Sequence, residues 1–419
     1  MDNLYLSRYA YPPVLNHQRP SPGLRLVAAI PAFKEPELCV ALQSLVDCQP
    51  TEHPVHVIVA INQPENSPPE IRKQTEKSYE DALAFIKGAN RPGLSFSLIR
   101  VDLPGKQAGV GLARKIAMDE AVRLLETLRP ERPMVHEEAV IVCYDADCRC
   151  DPNYLWEIEN HYLRKPDCPA ATVYYEHPLE GDLDPCIYEG AAKYELFLRY
   201  HVNALRFAGF PYAYQTVGSC MTVRSSIYQK QGGMNRRQAG EDFYFLQKLF
   251  PLKGFSEINS TRVIPSPRIS DRVPFGTGKS IAAFIAGQRE LLAYHPSCYQ
   301  DLKAFLELWE NLYVEKKLPG ALPSPVKEFL EENNFQGAFV EMLDSSRTAG
   351  VFYKKFFHWF NGFRALKFIH FTRDRYYPSI RIEEAAGWLL RNYLKLEPPG
   401  TAREMLEALR RKDREDGAR

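Results

Sequence analysis

The sequence predicts an α/β fold with a mostly parallel central sheet flanked by helices, followed by a helical C-terminal region. Three observations predict it. Apolar runs at 24–30, 55–61 and 140–144 are unbroken by polar residues, which suits strands buried on both faces of a parallel sheet. Between the strands lie stretches with helical spacing, such as Leu38, Ala41, Leu42 and Leu45, and strand–helix alternation is the pattern of a doubly wound sheet. From Ile281 onward the pattern is mainly helical, over 282–294, 299–314 and 324–334.

Composition sets the outer bounds. The 419 residues are 45% hydrophobic and 25% charged, ordinary for a soluble globular protein. A formal net charge of +1 gives no reason to expect nucleic acid as a partner. Nine cysteines, an odd number scattered along the chain, do not form a disulfide framework. Cys143, Cys148 and Cys150 cluster, yet there is no Cys-x-x-Cys and no histidine at ligand spacing, so they read as reduced structural thiols rather than zinc ligands. The start lacks a basic stretch followed by an apolar one, and no apolar run approaches the ~20 residues of a membrane helix. A cytoplasmic protein is the expectation.

In chain order, residues 1–23 are rich in Tyr, Pro and Ser and read as an irregular lead-in. Strand 24–30 ends at Pro31-Ala32-Phe33-Lys34-Glu35, and a helix follows over 37–46. Strand 55–61 runs into a polar loop at Asn62, then helix 70–89 and strand 94–101. A glycine-containing loop at 105–111 leads into helix 112–128, and the strand before Asp145 follows a loop with Pro130 and Pro133. Helix 152–163, strand 170–175, helix 188–207, a strand-like segment at 215–224 and helix 243–249 complete this half, and 265–280 reads as loop. Right-handed crossovers place the loops after the strands along one edge, where open α/β sheets bind ligands. That edge collects Glu35, Asn62, Lys106, Asp145 and Asp147.

Asp145 and Asp147 flank one alanine, so in an extended chain both side chains leave on the same side. Two carboxylates so close suit Mg²⁺ or Mn²⁺, which take one or two carboxylates and complete their shell with phosphate and water. The plainer reading of Asp-x-Asp is an exposed acidic turn.

Four segments in order, Ile30-Pro31-Ala32-Phe33-Lys34-Glu35, Gly109-Val110-Gly111-Leu112-Ala113-Arg114, Tyr144-Asp145-Ala146-Asp147 and Gly240-Glu241-Asp242, resemble the family 2 glycosyltransferases, which have the GT-A fold. The similarity covers 24–280 and leaves 281–419 as a helical C-terminal region. It implies a metal-dependent, hexosyltransferase-type transfer from a nucleotide-diphosphate-sugar donor to a hydroxyl of a sugar, lipid-linked or small-molecule acceptor. It places Pro31, Ala32 and Glu35 along the nucleotide, Asp145 facing the ribose or sugar, and Asp147 on Mn²⁺ or Mg²⁺. Lys106, Gly111 and Arg114 lie toward the donor, and Gly218-Ser219 beside the donor sugar or acceptor. It makes Asp242, with Glu241 beside it, the general base of an inverting transfer. Plainer readings stand beside these: Glu35 as a carboxylate at a helix start, Lys106 as a solvated charge, and Glu241-Asp242 as an acidic helix N-terminus.

Three departures from the family pattern matter. The second strand ends in Asn62 rather than an aspartate pair, leaving the base open. The late loop reads Pro267-Arg268-Ile269-Ser270-Asp271-Arg272 without a histidine, so either Asp271 ligates the metal or Arg268 and Arg272 hold the diphosphate. The Gln-x-x-Arg-Trp signature of processive synthases is absent, which favours a single transfer. Pro104-Gly105-Lys106 with Tyr-Asp-Ala-Asp keeps a retaining transferase on a glycerate-type acceptor as the alternative, and a catalytically silent scaffold is the rival outside enzymes. The stretch 351–377 sets Phe352, Phe356, Trp359, Phe360 and Phe363 at helical spacing among Lys354, Lys355, Arg364 and Lys367. It reads either as a helix packed on the rest of the protein or as a peripheral contact with the inner membrane face.

Overall fold

The computed structural model describes residues 3–15, 19–89, 91–270, 276–287 and 290–417. They group into two compact units, one of Met1–Tyr188, Thr216–Ala282 and Lys412–Arg419, the other of Glu189–Gln215 and Ala283–Arg411.

The first unit is built on an eight-stranded sheet. Its strands are β1 (Leu26–Ala32), β2 (Val55–Pro64), β3 (Leu94–Leu103), β4 (Val140–Cys143), β5 (Cys148–Cys150), β6 (Ala170–Tyr175), β7 (Met221–Arg224) and β8 (Ser256–Pro265), in the order β3-β2-β1-β4-β7-β6-β8-β5. The pairs β3–β2, β2–β1, β1–β4 and β6–β8 are parallel, whereas β7 runs antiparallel to both neighbours and β5 antiparallel to β8. All seven residues of β1 and all of β4 are buried, which is why neither alternates with polar residues. Five strands expected from sequence are present: 170–175 as expected, and 24–30, 55–61, 94–101 and 140–144 with ends moved by one or more residues. The segment 215–224 is strand only from Met221, because Gly218–Cys220 forms a tight 3₁₀ turn. Residues 148–150 and 256–265 add strands that the sequence reading left out.

The sheet opens where β1 and β4 part. Their register ends at Ala29↔Cys143, whereas β1 stays paired with β2 through Ala32↔Ile61. Pro31, which has no N–H to donate, therefore sits in a central strand just beyond the last β4 partner. On one side of the opening the chain turns through Lys34, held at φ +50°, and on the other through Asp145. The strand order also reverses here, at β1, and ligands of open α/β sheets bind at such a point.

Four helices of this unit matter below: α1 (Leu4–Arg8), α2 (Leu38–Val46), α3 (Pro69–Gly88) and α4 (Val110–Glu126). Part of the lead-in read as irregular is the short helix α1, capped by the Asn3 side chain accepting from Leu6 N. It fastens onto α4, which is buried almost all round and carries charges on its inner faces. Asp119 is fully buried and accepts from the hydroxyls of Tyr5 and Tyr228 at 2.6 and 2.7 Å and from Tyr11 N at 2.7 Å, and it pairs with Lys115 at 3.0 Å. Gly233, at φ +71°, makes room for Tyr5, since a Cβ there would lie 2.0 Å from the Tyr5 hydroxyl oxygen.

The second unit is helical, with a core of rings. Phe305, Phe329, Phe335, Phe352, Phe356, Phe360 and Phe368 are each buried, with centroids 5.3 Å apart for Phe305 and Phe360 and 5.1 Å for Phe329 and Phe368. Within 351–377, Phe352, Phe356 and Phe360 thus point into the protein, and Arg364 stacks on the half-buried Trp359 at 4.1 Å. Of the five rings that the sequence offered to a membrane surface, Phe352, Phe356 and Phe360 are core of this unit, and Trp359 and Phe363 are half-buried. Among the described residues no helix is long and apolar enough to cross a membrane.

The Asp119 cluster yields a stability test. Asp119→Ala strands the buried Lys115 charge and leaves two tyrosine hydroxyls without their acceptor, so it is expected to cost about 3–5 kcal/mol in urea unfolding. Tyr5→Phe, which removes the hydroxyl's bond to Asp119 and the one it accepts from Lys115 but leaves the ion pair, is expected to cost about 2 kcal/mol. Equal costs for the two would show that Asp119 does not hold the cluster.

Candidate active site

The site is assembled around the start of α4. A Cβ on Gly111 would lie 2.3 Å from the carbonyl oxygen of Arg237 and 2.9 Å from Glu241 Cβ, and one on Gly109 would lie 2.6 Å from Gln238 Cα. Only glycine lets loop 237–241 rest against the first turn of α4. Gly111 therefore acts through packing. Arg114, three residues on, shares its helix face and reaches Glu241 of the loop so held.

Arg114 is 2% exposed, and its guanidinium faces three acceptors. Nη1 lies 2.9 Å from Asp145 Oδ1 and donates to the Gly218 carbonyl at 3.3 Å, and Nε donates to Glu241 Oε1 at 3.1 Å. Burial works against its charge, but the two carboxylates outweigh burial and hold its pKa well above the ordinary arginine value. A cation so placed fixes β4's end, the 3₁₀ turn and the helix Glu241–Leu249 to one another. Burial raises the Glu241 carboxyl, with Arg114 opposing.

Asp242 follows in the first turn of the helix Glu241–Leu249, after Gly240 at φ +71°. Its Oδ1 accepts from Phe243 N at 2.7 Å. A Cβ on Gly218 would lie 3.3 Å from Asp242 Oδ2 and 2.9 Å from Arg114 Nη2, so the bare backbone at 218 sits between carboxylate and guanidinium. Burial, then the neighbouring Glu241 charge, push the Asp242 carboxyl from 3.8 up to about 7, against the pull of Phe243 N and Arg114. A carboxyl poised there takes up or gives a proton near neutral pH.

The second group gathers across the opening. Cys148 pairs with Pro265 in the β5–β8 ladder, which brings the loop after β8 beside Asp147. Arg268, three residues past Pro265, forms an ion pair with the buried Glu35 and lies 3.7 Å from Glu37. Burial opposes its charge, and Glu35, then Asp147 and Glu37, raise its pKa in spite of it. Glu35 also accepts from Glu37 N at 2.8 Å, at the entry to α2. The structure thus joins Glu35 with Arg268, whose charge Asp147 also favours, and separately Arg114, Asp145, Gly218, Glu241 and Asp242, with Asp145 and Asp147 in one turn closed by Cys148 N donating to Asp145 O at 3.1 Å.

The remaining expected residues fall into place differently. Asn62 is buried and donates to the Ala32 carbonyl at 2.9 Å, tying the ends of β1 and β2 together, so its amide is engaged with backbone. Pro31 and Ala32 are the last residues of β1, and Ser219 is buried in the 3₁₀ turn. Lys106 is exposed in the turn after β3, and among the described residues no hydrogen bond or ion pair ties it to the cluster. Asp271 and Arg272 lie outside the described residues. One contributor was missed: Asn235 donates through Nδ2 to the Glu241 carbonyl at 2.9 Å and accepts at Oδ1 from Arg237 N at 3.1 Å, shaping the loop. An asparagine just after two glycines is a turn signal that could have found it.

Asp145 and Asp147 are hard oxygen donors, the kind that Mg²⁺ and Mn²⁺ take. Among the described residues no cluster of three His, Cys, Asp or Glu stands ready for a metal. Asp145 is already paired with Arg114, and Cys148 Sγ lies 3.8 Å from Asp147 Oδ1.

No protein-family model and no curated protein matches the chain. Among solved structures, it is similar to S. aureus TarS 1–349 in complex with UDP-GlcNAc, at 12% identity over 70% of this chain and 76% of that one, with a TM-score of 0.40. It is similar also to S. aureus TarS 1–349 in complex with UDP, at 12% identity over 94% and 89%, with a TM-score of 0.37. Likenesses this distant carry no weight for the site, which stands on its own geometry.

The raised Asp242 carboxyl has a measurable consequence. Its folded value of about 7 exceeds the ordinary 3.8, so between these values the folded chain holds a proton that the unfolded chain releases. Its contribution to stability is present below about pH 4 and is lost as pH rises through about 7. Urea midpoints across this range are expected to fall less steeply for Asp242→Asn than for wild type. Parallel curves would place Asp242 in the ordinary carboxylate range.

Proposed function

We propose that the chain is a glycosyltransferase of the GT-A type that moves a sugar once from a nucleotide-diphosphate donor to an acceptor hydroxyl, with inversion. The observation that carries the reading is Asp242, a carboxyl raised to about 7 and set across Gly218 from the Arg114–Asp145 pair at the opening of the sheet. Residues 24–280 supply the catalytic machinery in this reading, and 281–419 the helical region.

Each residue then has a task. Asp242 accepts the proton of the acceptor hydroxyl as that oxygen attacks the anomeric carbon, from the face opposite the leaving diphosphate. Arg114 is a positioning residue that holds Asp145 and Glu241 and keeps Asp242 from rising further. Arg268 lies toward the diphosphate and, released from Glu35, offers it a two-pronged guanidinium contact. Asp147, with Asp145, would hold Mn²⁺ or Mg²⁺, which when bound offsets charge on the leaving diphosphate. Glu35, at the end of β1, faces the nucleoside side of the opening.

A thermal-shift panel of nucleoside diphosphates and nucleotide sugars, with and without Mn²⁺, tests this. One base series at about 100 times its dissociation constant is expected to stabilise the wild type by ~2.7 kcal/mol with metal, and Asp147→Ala to lose the metal-dependent part. Asp242→Asn is expected to keep donor binding and lose transfer by roughly 10²–10⁴-fold. If no nucleotide stabilises the chain, the silent-scaffold reading replaces this one.

A further inference from the structure

Beneath the Asp145–Asp147 turn, two thiols far apart in sequence meet. Cys48, just past the end of α2, and Cys150, at the end of β5, have their sulfurs 3.6 Å apart across 102 residues of chain. The backbones around them already run together. Cys150 N donates to Ser44 Oγ at 2.8 Å, Gln49 N to the Pro152 carbonyl at 2.6 Å, and Ser44 Oγ lies 3.3 Å from Cys150 Sγ. All nine cysteines are free thiols. Closing from 3.6 Å to the ~2.05 Å of a disulfide is a movement of about 1.5 Å, within reach of side-chain rotation when the backbones are already joined.

The surroundings favour a reaction at Cys48. The Cys150 sulfur lies at hydrogen-bonding distance from it, and Arg91, whose guanidinium donates to the Val46 and Gln49 carbonyls at 3.0 and 2.9 Å, brings a positive charge to the end of α2. Together they lower the Cys48 pKa against the effect of burial and of Asp47, and the thiolate is the reactive form. Cys48 is 4% exposed, which admits a reagent the size of hydrogen peroxide more readily than a bulky disulfide. Cys150 is half-buried.

We propose that Cys48 and Cys150 are an oxidisable pair that peroxide closes into a disulfide, stapling the end of α2 to β5. The Cys48 thiolate attacks one peroxide oxygen, the O–O bond breaks, and the departing hydroxide takes up a proton as water, leaving a sulfenic acid on Cys48. The Cys150 sulfur then attacks the Cys48 sulfur, the S–O bond breaks, and the hydroxyl leaves as water with the Cys150 proton. Two thiols and one peroxide become one disulfide and two waters. Helix α2 begins just after the Glu35 turn and β5 just after Asp147, so the staple joins the segments that flank the opening of the sheet. It stands independently of the transferase reading.

The test is treatment of the full chain with hydrogen peroxide, alkylation of remaining thiols in denaturant, intact mass and peptide mapping. Two cysteines are expected to escape alkylation, a single cross-linked peptide to join Cys48 with Cys150, and dithiothreitol to restore both. The oxidised chain is expected to melt at a higher temperature than the reduced one, and Cys150→Ala to show neither the cross-link nor the shift. Should Cys150→Ala fail to fold, the wild-type peptide map decides alone. Separate alkylation of Cys48 and Cys150 after peroxide, or a link from Cys48 to any other cysteine, would overturn the proposal.

Discussion

A guanidinium out of water must be paired, and the pairing of Arg114 is the constraint on which the site depends. An unpaired buried cation costs several kcal/mol, and so do the carboxylates it would leave behind. Asp145 comes from the end of β4, Glu241 from a loop more than ninety residues later, and Gly218 from the turn between them. No local propensity brings these together. The charge at 114 does so, because any other arrangement leaves opposite charges buried and apart. The two glycines at the start of α4 are the steric half of the same device, since they let loop 237–241 come close enough for Glu241 to reach the arginine.

The opening of the sheet supplies the second half. Because β4 stops pairing with β1 at Cys143 while β1 continues along β2, the acidic turn and the Glu35 turn diverge from neighbouring strands. The late strand β8, by pairing with the short β5, carries Arg268 back to this place. Carboxylates on both sides of the opening, Glu35 on one and Asp147 on the other, are bridged by the charge of one arginine.

What the sequence disclosed follows from range. Strands β1, β2 and β4 were legible because burial on both faces leaves an unbroken apolar run, and Asp145, Asp147, Arg114 and Asp242 because their motifs are contiguous. The strand β5 was not, since Cys148-Arg149-Cys150 is too short to show a period, and β8 mixes polar residues with a register shift. Helix α1 has five residues and holds its place through Tyr5 and Asn3 reaching α4 and beyond, contacts no local pattern shows. Asn62, expected to open a loop after strand 55–61, lies within β2 opposite Val101, and its amide serves the backbone of β1. The division at Tyr188 and again at Gln215 leaves no mark in composition, because it is set by what each side chain packs against.

Whether Arg114 holds a carboxylate cluster in which Asp242 is poised near neutral pH can be read from the ionisation of the Asp242 carboxyl itself. Its carbon resonance, recorded against pH in chain labelled at aspartate carboxyls and assigned with Asp242→Asn, gives the ionisation in wild type and in Arg114→Met. The account predicts a midpoint near 7 in wild type and a higher one in Arg114→Met, which has lost the charge that favours the carboxylate. A wild-type midpoint in the ordinary aspartate range, unmoved by Arg114→Met, would contradict it.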